Sequence, residues 1–193
     1  MIFVTVGSQM AFDRLINTVD GWASQSRRTD VFAQIGPSTS PPKHIQWTQF
    51  LTPATFREYV VKANVVIAHA GMGSIITALE LGKPILVMPR RGALKETRND
   101  HQVGTARQFL AQGRIGVAFD EKELVERLNT LDQLGVSRPR CSSTASPELL
   151  DALRRFVDGG DPCLAPAFQV TRPISVPVGS PVPVREVSAT TSP

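Results

Sequence analysis

The chain has 193 residues, of which 41% are hydrophobic and 20% charged, a composition that excludes a disordered or fibrous chain and allows one domain with a substantial core. Its net charge of +4 leaves nucleic acid, an anionic sugar nucleotide and an acidic membrane surface open as partners. No apolar run approaches the roughly 20 residues needed to span a bilayer.

The opening MIFVTVGSQ enters a strand at once and has no positively charged leader, so it does not read as a signal peptide. Cys141 and Cys163 both lie outside the patterned region and suggest neither a disulfide framework nor a metal site. A cytoplasmic protein is the expectation.

Ile2 to Val6 reads as a short apolar strand, and Gly7-Ser8-Gln9 as the turn after it. Phe12, Leu15, Ile16, Val19 and Trp22 recur at helical spacing, which predicts an amphipathic helix. Val31 to Ile35 forms a second strand, closed by Gly36-Pro37, and Ile45 to Phe50 a weaker one. Thr52 as N-cap and Pro53 in the first turn start a helix whose inward face is Phe56, Tyr59, Val60 and Ala63.

The central stretch begins with the apolar run Val65 to Ala68 and passes through His69-Ala70-Gly71-Met72-Gly73-Ser74 into a helical pattern. Glycines there let backbone approach a ligand, and the new helix points unpaired N–H groups at the same spot, which favours a phosphate. Gly82 ends that helix, Lys83-Pro84 turns the chain, and Ile85 to Met88 is another buried strand. A polar, basic loop follows, with Arg90, Arg91, Lys95 and Arg98, and ends in Asn99-Asp100-His101-Gln102. Two consecutive strand ends thus deliver polar groups to one edge of a parallel sheet, where open α/β sheets bind ligands.

A helix from about Asp100 to Gln112 is expected to turn Val103, Ala106 and Leu110 inward and to stop at Gly113. Ile115 to Phe119 is the next strand. Asp120 and Glu123 form a capping box ahead of Leu124, Leu128 and Leu131. Alternation at this rate predicts an α/β fold, a doubly wound parallel sheet built from right-handed βαβ units. Gly135 to Ala145 reads as a linker, and Ser146-Pro147-Glu148 opens a helix with Leu149, Leu150, Leu153, Phe156 and Val157 as its apolar set. Residues 159–193 are rich in Pro, Val, Ser and Thr without a period; they are expected to form a disordered tail, leaving 1–158 as the folded domain.

The Gly71-Gly73-Ser74 turn has a plainer reading, a tight strand-to-helix junction with Ser74 as a cap. It is neither GxGxxG, with its distant acidic residue for a nicotinamide ribose, nor a Walker A loop, since GKS and GKT are absent. His69, beside those glycines, is either structural or a hydrogen-bond donor to an anion. His101 and Gln102 either cap and face solvent or meet a hydroxyl-rich ligand, since amide and imidazole both donate and accept. The arginines are either a solvated face or a flank to the phosphate site. No Ser-His-Asp set, nucleophilic cysteine or glycosidase carboxylate pair stands out.

HAGMGSIITALELGKPILVMPR followed by NDHQ resembles the nucleotide-sugar half of the GT-B glycosyltransferases of family 28, and IFVTVGSQMAFDRLI resembles the opening of the same domain. The resemblance spans about residues 1–130. It is strongest to split enzymes in which this Rossmann-like half is a separate protein. These include the catalytic subunit of the dolichol-linked N-acetylglucosamine transferase and the PssE-type subunits of bacterial exopolysaccharide synthesis.

The resemblance implies an inverting transferase that uses a UDP-sugar and has no further cofactor and no strict need for a metal. His69, Gly71, Gly73 and Ser74 would hold the donor diphosphate, and His101 and Gln102 the donor sugar. Gly7, Ser8 and Gln9 would line the opposite, acceptor side, with Arg90, Arg91 and Arg98 as a basic rim. Many relatives carry a ribose-binding glutamate where Thr77 stands here; Glu80 lies one turn further on.

A membrane-anchored partner would bring the lipid-linked saccharide acceptor and the base, recruiting this chain to the inner face of the membrane. A non-catalytic nucleotide-sugar-binding or scaffold module is the alternative. A nucleic-acid binder is disfavoured by the 6% aromatic content and the lack of a stacking motif.

Overall fold

The computed structural model of the protein describes residues 1–131 and 144–158. Most of the expected linker, the expected tail, Cys141 and Cys163 lie outside the described residues.

Six strands form one parallel sheet. In chain order the elements are β1 (Ile2–Thr5), α1 (Asp13–Gln25), β2 (Val31–Gln34), β3 (Gln46–Thr48), α2 (Pro53–Lys62), β4 (Val65–His69), α3 (Met72–Glu80), β5 (Ile85–Met88), a 3₁₀ turn (Gly92–Leu94), α4 (His101–Ala111), β6 (Gly116–Val117) and α5 (Glu121–Asn129). The strand order β3-β2-β1-β4-β5-β6 places β1 and β4 side by side at the centre, Ile2 opposite Val65 and Thr5 opposite Ala68. The chain winds outward in both directions from that pair, so the loops after β1 and β4 diverge there and leave a crevice.

Both faces of the sheet are covered, which is why the inner strands read as continuous apolar runs instead of alternating. Ile2, Val4, Val6, Ile67 and Met88 pack with Leu15, Ile16 and Val19 of α1 and Leu124 and Leu128 of α5. Phe3, Val66, Ala68 and Val87 pack on the other face with Val60, Ile75, Ala78 and Ala106 from α2, α3 and α4. On that second face Phe32 and Tyr59 stack at 4.3 Å, and Phe3 meets Phe56 edge-on at 5.6 Å; such pairs contribute about 0.5–1.5 kcal/mol each beyond area burial.

Local chemistry accounts for the ends of the helices. The Thr52 hydroxyl accepts from the Thr55 N–H at 3.2 Å, with Pro53 following in the first turn. Asp120 caps α5 by accepting from the Glu123 N–H at 2.8 Å. Glu123 reaches back to the Phe119 N–H at 2.8 Å, one residue further out than in a standard capping box. Gly82 and Gly113 end α3 and α4 in the left-handed region, at φ +65° and +63°.

Two expectations need correction. In α4, Leu110 is 40% exposed, and Phe109 instead packs against the core with Ala106. β6 is also only Gly116–Val117, although the Ala118 N–H still donates to the Val87 carbonyl. The sheet edge is short because Phe119 is drawn into the cap of α5.

The helix α6 (Pro147–Val157) belongs to a second unit that begins at Glu148. Its apolar set, Leu149, Leu150, Leu153, Phe156 and Val157, is exposed, and Arg155 pairs with Asp151 one turn back at 2.5 Å.

Candidate functional site

A cleft of about 620 Å³ opens over the carboxyl ends of β1, β4 and β5. Of the residues singled out in the sequence, Gly7, Ser8, Gln9, His69, Gly71, Gly73, Ser74, Arg90, His101 and Gln102 all line it. Arg91 and Arg98 do not.

The first wall is the start of α3. Gly71 is its N-cap and supplies no side chain, so the first-turn N–H groups of Met72, Gly73 and Ser74 have no side-chain cap. The junction is as tight as the plainer reading of this turn expects, but Ser74 sits buried in the first turn and does not cap. The Thr77 hydroxyl lines the cleft but donates to the Gly73 carbonyl of its own helix at 2.8 Å. Glu80 pairs with Arg57 at 3.6 Å and does not reach the cleft.

His69, the last residue of β4, is the floor. A Cβ on Gly71 would come to 2.1 Å from its Nε2, and one on Gly7 to 2.9 Å from its Cε1. The imidazole therefore fills the gap between two backbone segments, and both must be glycine while the ring is there. Gly7 also sits at φ +76°, which a side chain disfavours independently. Among the described residues, His69 Nδ1 is buried without a hydrogen-bond partner. Burial first, and the Arg90 charge second, push the imidazole pKa down to about 4, against a weaker opposing influence from the Thr5 backbone. The ring is neutral at pH 7.

Behind the histidine, the Thr5 hydroxyl donates to Gln34 Oε1 at 2.9 Å and accepts from the Gly7 N–H at 3.2 Å. Both side chains are buried and line the cleft. Sequence reading missed them because each sits in an otherwise apolar strand, where a lone Thr or Gln carries no pattern.

The opposite wall comes from β5 and α4. Gln102 is buried, and its Oε1 accepts from the Arg90 N–H at 3.2 Å, which leaves the amide nitrogen for the cleft. His101 is exposed; its Nδ1 hydrogen-bonds Asn99 Oδ1, which also accepts from the His101 N–H at 3.2 Å. With Nδ1 engaged by that oxygen, Nε2 is the ring nitrogen left for the cleft. Asp100 instead accepts from the Gly92 N–H at 2.7 Å, folding the 3₁₀ turn onto the start of α4.

The expected basic rim is not what forms. Arg90 is 3% exposed, and its guanidinium lies 4.7 Å from the centre of the Phe12 ring, among backbone carbonyls. Burial pulls its pKa down to about 10, with Glu96 and Asp13 opposing. Arg91 turns away to donate to the Phe119 carbonyl at 2.6 Å, and Arg98 is exposed outside the cleft.

An ion pair that the sequence did not reveal braces this wall. Arg14 at the start of α1 grips Glu96 with two parallel bonds of 2.7 and 2.9 Å and reaches Glu121 at 3.3 Å. Glu96 also accepts from the Arg91 N–H at 2.9 Å. Burial works against the Arg14 charge, but the carboxylates outweigh it and hold its pKa above the ordinary value. Among the described residues, no cluster of three or more His, Cys, Asp or Glu side chains is arranged to hold a metal ion. Among the same residues, no helix is long and apolar enough to cross a membrane.

Comparison with known proteins supplies a family and a fold. Residues 1–140 match the family described as Glycosyltransferase family 28 C-terminal domain. The chain is similar to the human UDP-N-acetylglucosamine transferase subunit ALG13, 32% identical over 124 residues, covering 59% of this chain and 10% of that protein. The Candida albicans subunit of the same name is 30% identical over 94 residues, covering 49% of this chain and 30% of the relative. The match thus spans less than a third of either relative.

Among solved structures, the fold resembles UDP-GlcNAc 2-epimerase from Neisseria meningitidis bound to UDP-GlcNAc. The TM-score is 0.54 at 11% identity, over 82% of this chain and 44% of that one. MurG from Acinetobacter baumannii gives 0.52 at 19% identity, over 68% and 42%. At such identities the likeness is one of fold.

Proposed function

The chain belongs to glycosyltransferase family 28 through that C-terminal domain, and from this premise we propose that it is the donor-binding catalytic subunit of an inverting glycosyltransferase. It transfers a hexosyl-type sugar from a UDP-sugar to a lipid-linked acceptor, in exopolysaccharide or glycolipid synthesis. The observation that carries the reading is the uncapped α3 terminus opening into a cleft whose facing wall offers the Gln102 amide and the His101 imidazole.

The diphosphate lies on the N–H groups of Met72, Gly73 and Ser74, where unpaired donors and the helix dipole stabilise negative charge. That charge grows on UDP as the bond to the sugar breaks, so the same donors favour the transition state over the bound substrate, with no metal strictly required. The neutral His69 adds a hydrogen-bonding ring at the floor without a second cation. Gln102 Nε2, held by the bond its oxygen makes to Arg90, donates to a sugar hydroxyl.

Inversion needs the acceptor hydroxyl in line behind the leaving UDP. A partner subunit supplies the acceptor, the base that deprotonates it and the attachment to the inner face of the membrane. Holding that alignment contributes several kcal/mol of barrier lowering, on the order of the effective-molarity effect. The word subunit in the names of the ALG13 relatives supports such a division of labour.

Gly73→Val is the cleanest test of the donor site, because a Cβ at Gly73 meets no atom within 4 Å. The variant should fold normally and obstruct the phosphate position. Calorimetry should show UDP binding to the parent chain and at least a tenfold loss in Gly73→Val; equal affinities would remove the diphosphate from this helix end. Transfer from UDP-sugars to a lipid-linked acceptor should depend on the partner. Donor binding without any transfer in the reconstituted pair would leave a nucleotide-sugar-binding module instead of an enzyme.

A further inference from the structure

The buried guanidinium of Arg90 occupies an unusual position. It donates to four backbone carbonyls, those of Val6 at 2.9 Å, Met10 at 2.6 Å, Glu96 at 3.3 Å and Ala11. Three of the four belong to the segment between β1 and α1, which forms one wall of the cleft; the fourth belongs to the loop after β5. Among the described residues, no carboxylate touches the guanidinium. Glu96 is taken by Arg14, and Asp13 accepts from the Ser38 hydroxyl at 2.6 Å. The Phe12 ring supports the guanidinium from beneath, and the Arg90 N–H fixes the oxygen of Gln102.

A glycine-containing loop such as Gly7–Ala11 has little order of its own. Met10 is 42% exposed, Ser8 and Gln9 are exposed, and the Gly7 N–H is held by the Thr5 hydroxyl. Among the described residues, the remaining polar anchors of this loop run to one side chain.

We propose that Arg90 is a positioning residue: its guanidinium straps the Gly7–Ala11 segment to the end of β5 while its backbone N–H aims Gln102, so that two sides of the donor cleft are set by one residue. The role requires the planar fork of arginine. A lysine ammonium has the charge and a similar stem but only three donors on one atom, too few and too closely grouped to span carbonyls from Val6 to Ala11. The benefit to UDP-sugar binding rests on the reading of the cleft given above; the strap itself does not.

The test compares the parent chain with Arg90→Lys and Arg90→Met by amide order parameters from nuclear magnetic resonance relaxation and by UDP calorimetry. Both variants should lower the order parameters of residues 7–11 to those of a flexible loop while the amides of α1 and α3 keep theirs. UDP affinity should fall about tenfold in each, and Arg90→Lys should rescue neither property. Free guanidinium ion at non-denaturing concentration should partly restore UDP binding to an Arg90→Gly chain. Unchanged order parameters at residues 7–11, or full rescue by lysine, would overturn the inference.

If the parent chain binds no UDP, the donor-site reading fails while the order parameters still decide the strap. Should the variants not fold, nuclear magnetic resonance of the parent chain decides. The Arg90 guanidinium protons should then exchange far more slowly than those of the exposed Arg98, and equal rates would count against the strap.

Discussion

The two walls of the cleft are built on opposite principles. On the α3 side, polar groups are left without partners: first-turn N–H groups have no side-chain cap, and His69 Nδ1 is bare. On the β5–α4 side nearly every polar group is engaged. Arg90 holds four carbonyls, Glu96 holds Arg14 and the Arg91 N–H, and Asp100 holds Gly92. A polar group without a partner costs free energy, so the first-turn N–H groups need water or a ligand, while the buried Nδ1 carries its cost within the fold. The saturated wall is scaffold. The difference teaches that open donors and loop construction are divided between the two sides; in the proposed function Gln102 is the residue that serves both.

The largest expected effect lies in the bare wall and is seen by titration. His69 has a pKa of about 4 in the fold against an ordinary 6.5, so the folded state favours the neutral ring. Its contribution is fully present above pH 6.5 and is lost as the pH falls toward 4, where the unfolded chain takes up a proton that the fold resists. The gap corresponds to about 3 kcal/mol. Urea unfolding of the parent chain and of His69→Gln should diverge over this interval, the parent losing more stability on acidification. Parallel curves would mean that the ring is not desolvated.

The saturated wall should respond to loss of a charge. Glu96→Gln leaves Arg14 facing a neutral group in a setting only 12% exposed, which should destabilise the fold by about 2 kcal/mol, below the range for wholly buried pairs. Thermal unfolding should show it at any pH near 7. A cost comparable to that of an exposed pair would make this wall as soft as the other.

Gln102→Ala tests the shared residue. Losing one hydrogen bond to a sugar hydroxyl should weaken UDP-sugar binding by about 0.5–1.5 kcal/mol relative to UDP alone. A loss shared equally by UDP and UDP-sugar would assign Gln102 wholly to the scaffold.

Smallest of all, Thr77→Val removes a hydroxyl already engaged by its own helix. It should change UDP affinity by less than about 0.5 kcal/mol. A larger loss would place the ribose on Thr77.

Much of this architecture was legible in the chain. Val65 to Ala68 is wholly buried because a parallel strand covered on both faces must be apolar throughout, and the left-handed glycines after α3 and α4 mark true helix ends. The cleft could be located because its residues cluster at successive strand ends. The illegible parts share one physical origin, partners distant in sequence. Arg14 and Glu96 lie 82 residues apart, and Thr5 and Gln34 29 apart, with no local signal joining them. Arg90 looked like a surface cation because composition cannot show that backbone carbonyls converge on it. Leu110 was misplaced by a single residue, since α4 is short and Phe109 satisfies the same face.

The imidazole held between Gly7 and Gly71 also restricts how this sequence can drift. The three positions behave as one character with a fixed order of change. While the histidine remains, any side chain at Gly71 collides with Nε2, so substitution there is lethal to the arrangement however conservative it looks. Once the histidine is replaced by a small residue, Gly71 becomes free, because its backbone lies in an ordinary extended conformation at φ −88°. Gly7 is released only in part: its left-handed backbone still selects glycine or, at some cost, asparagine. A lineage that abandons the histidine would therefore diversify first at 71 and last at 7, and reversal would close as soon as 71 had gained a side chain.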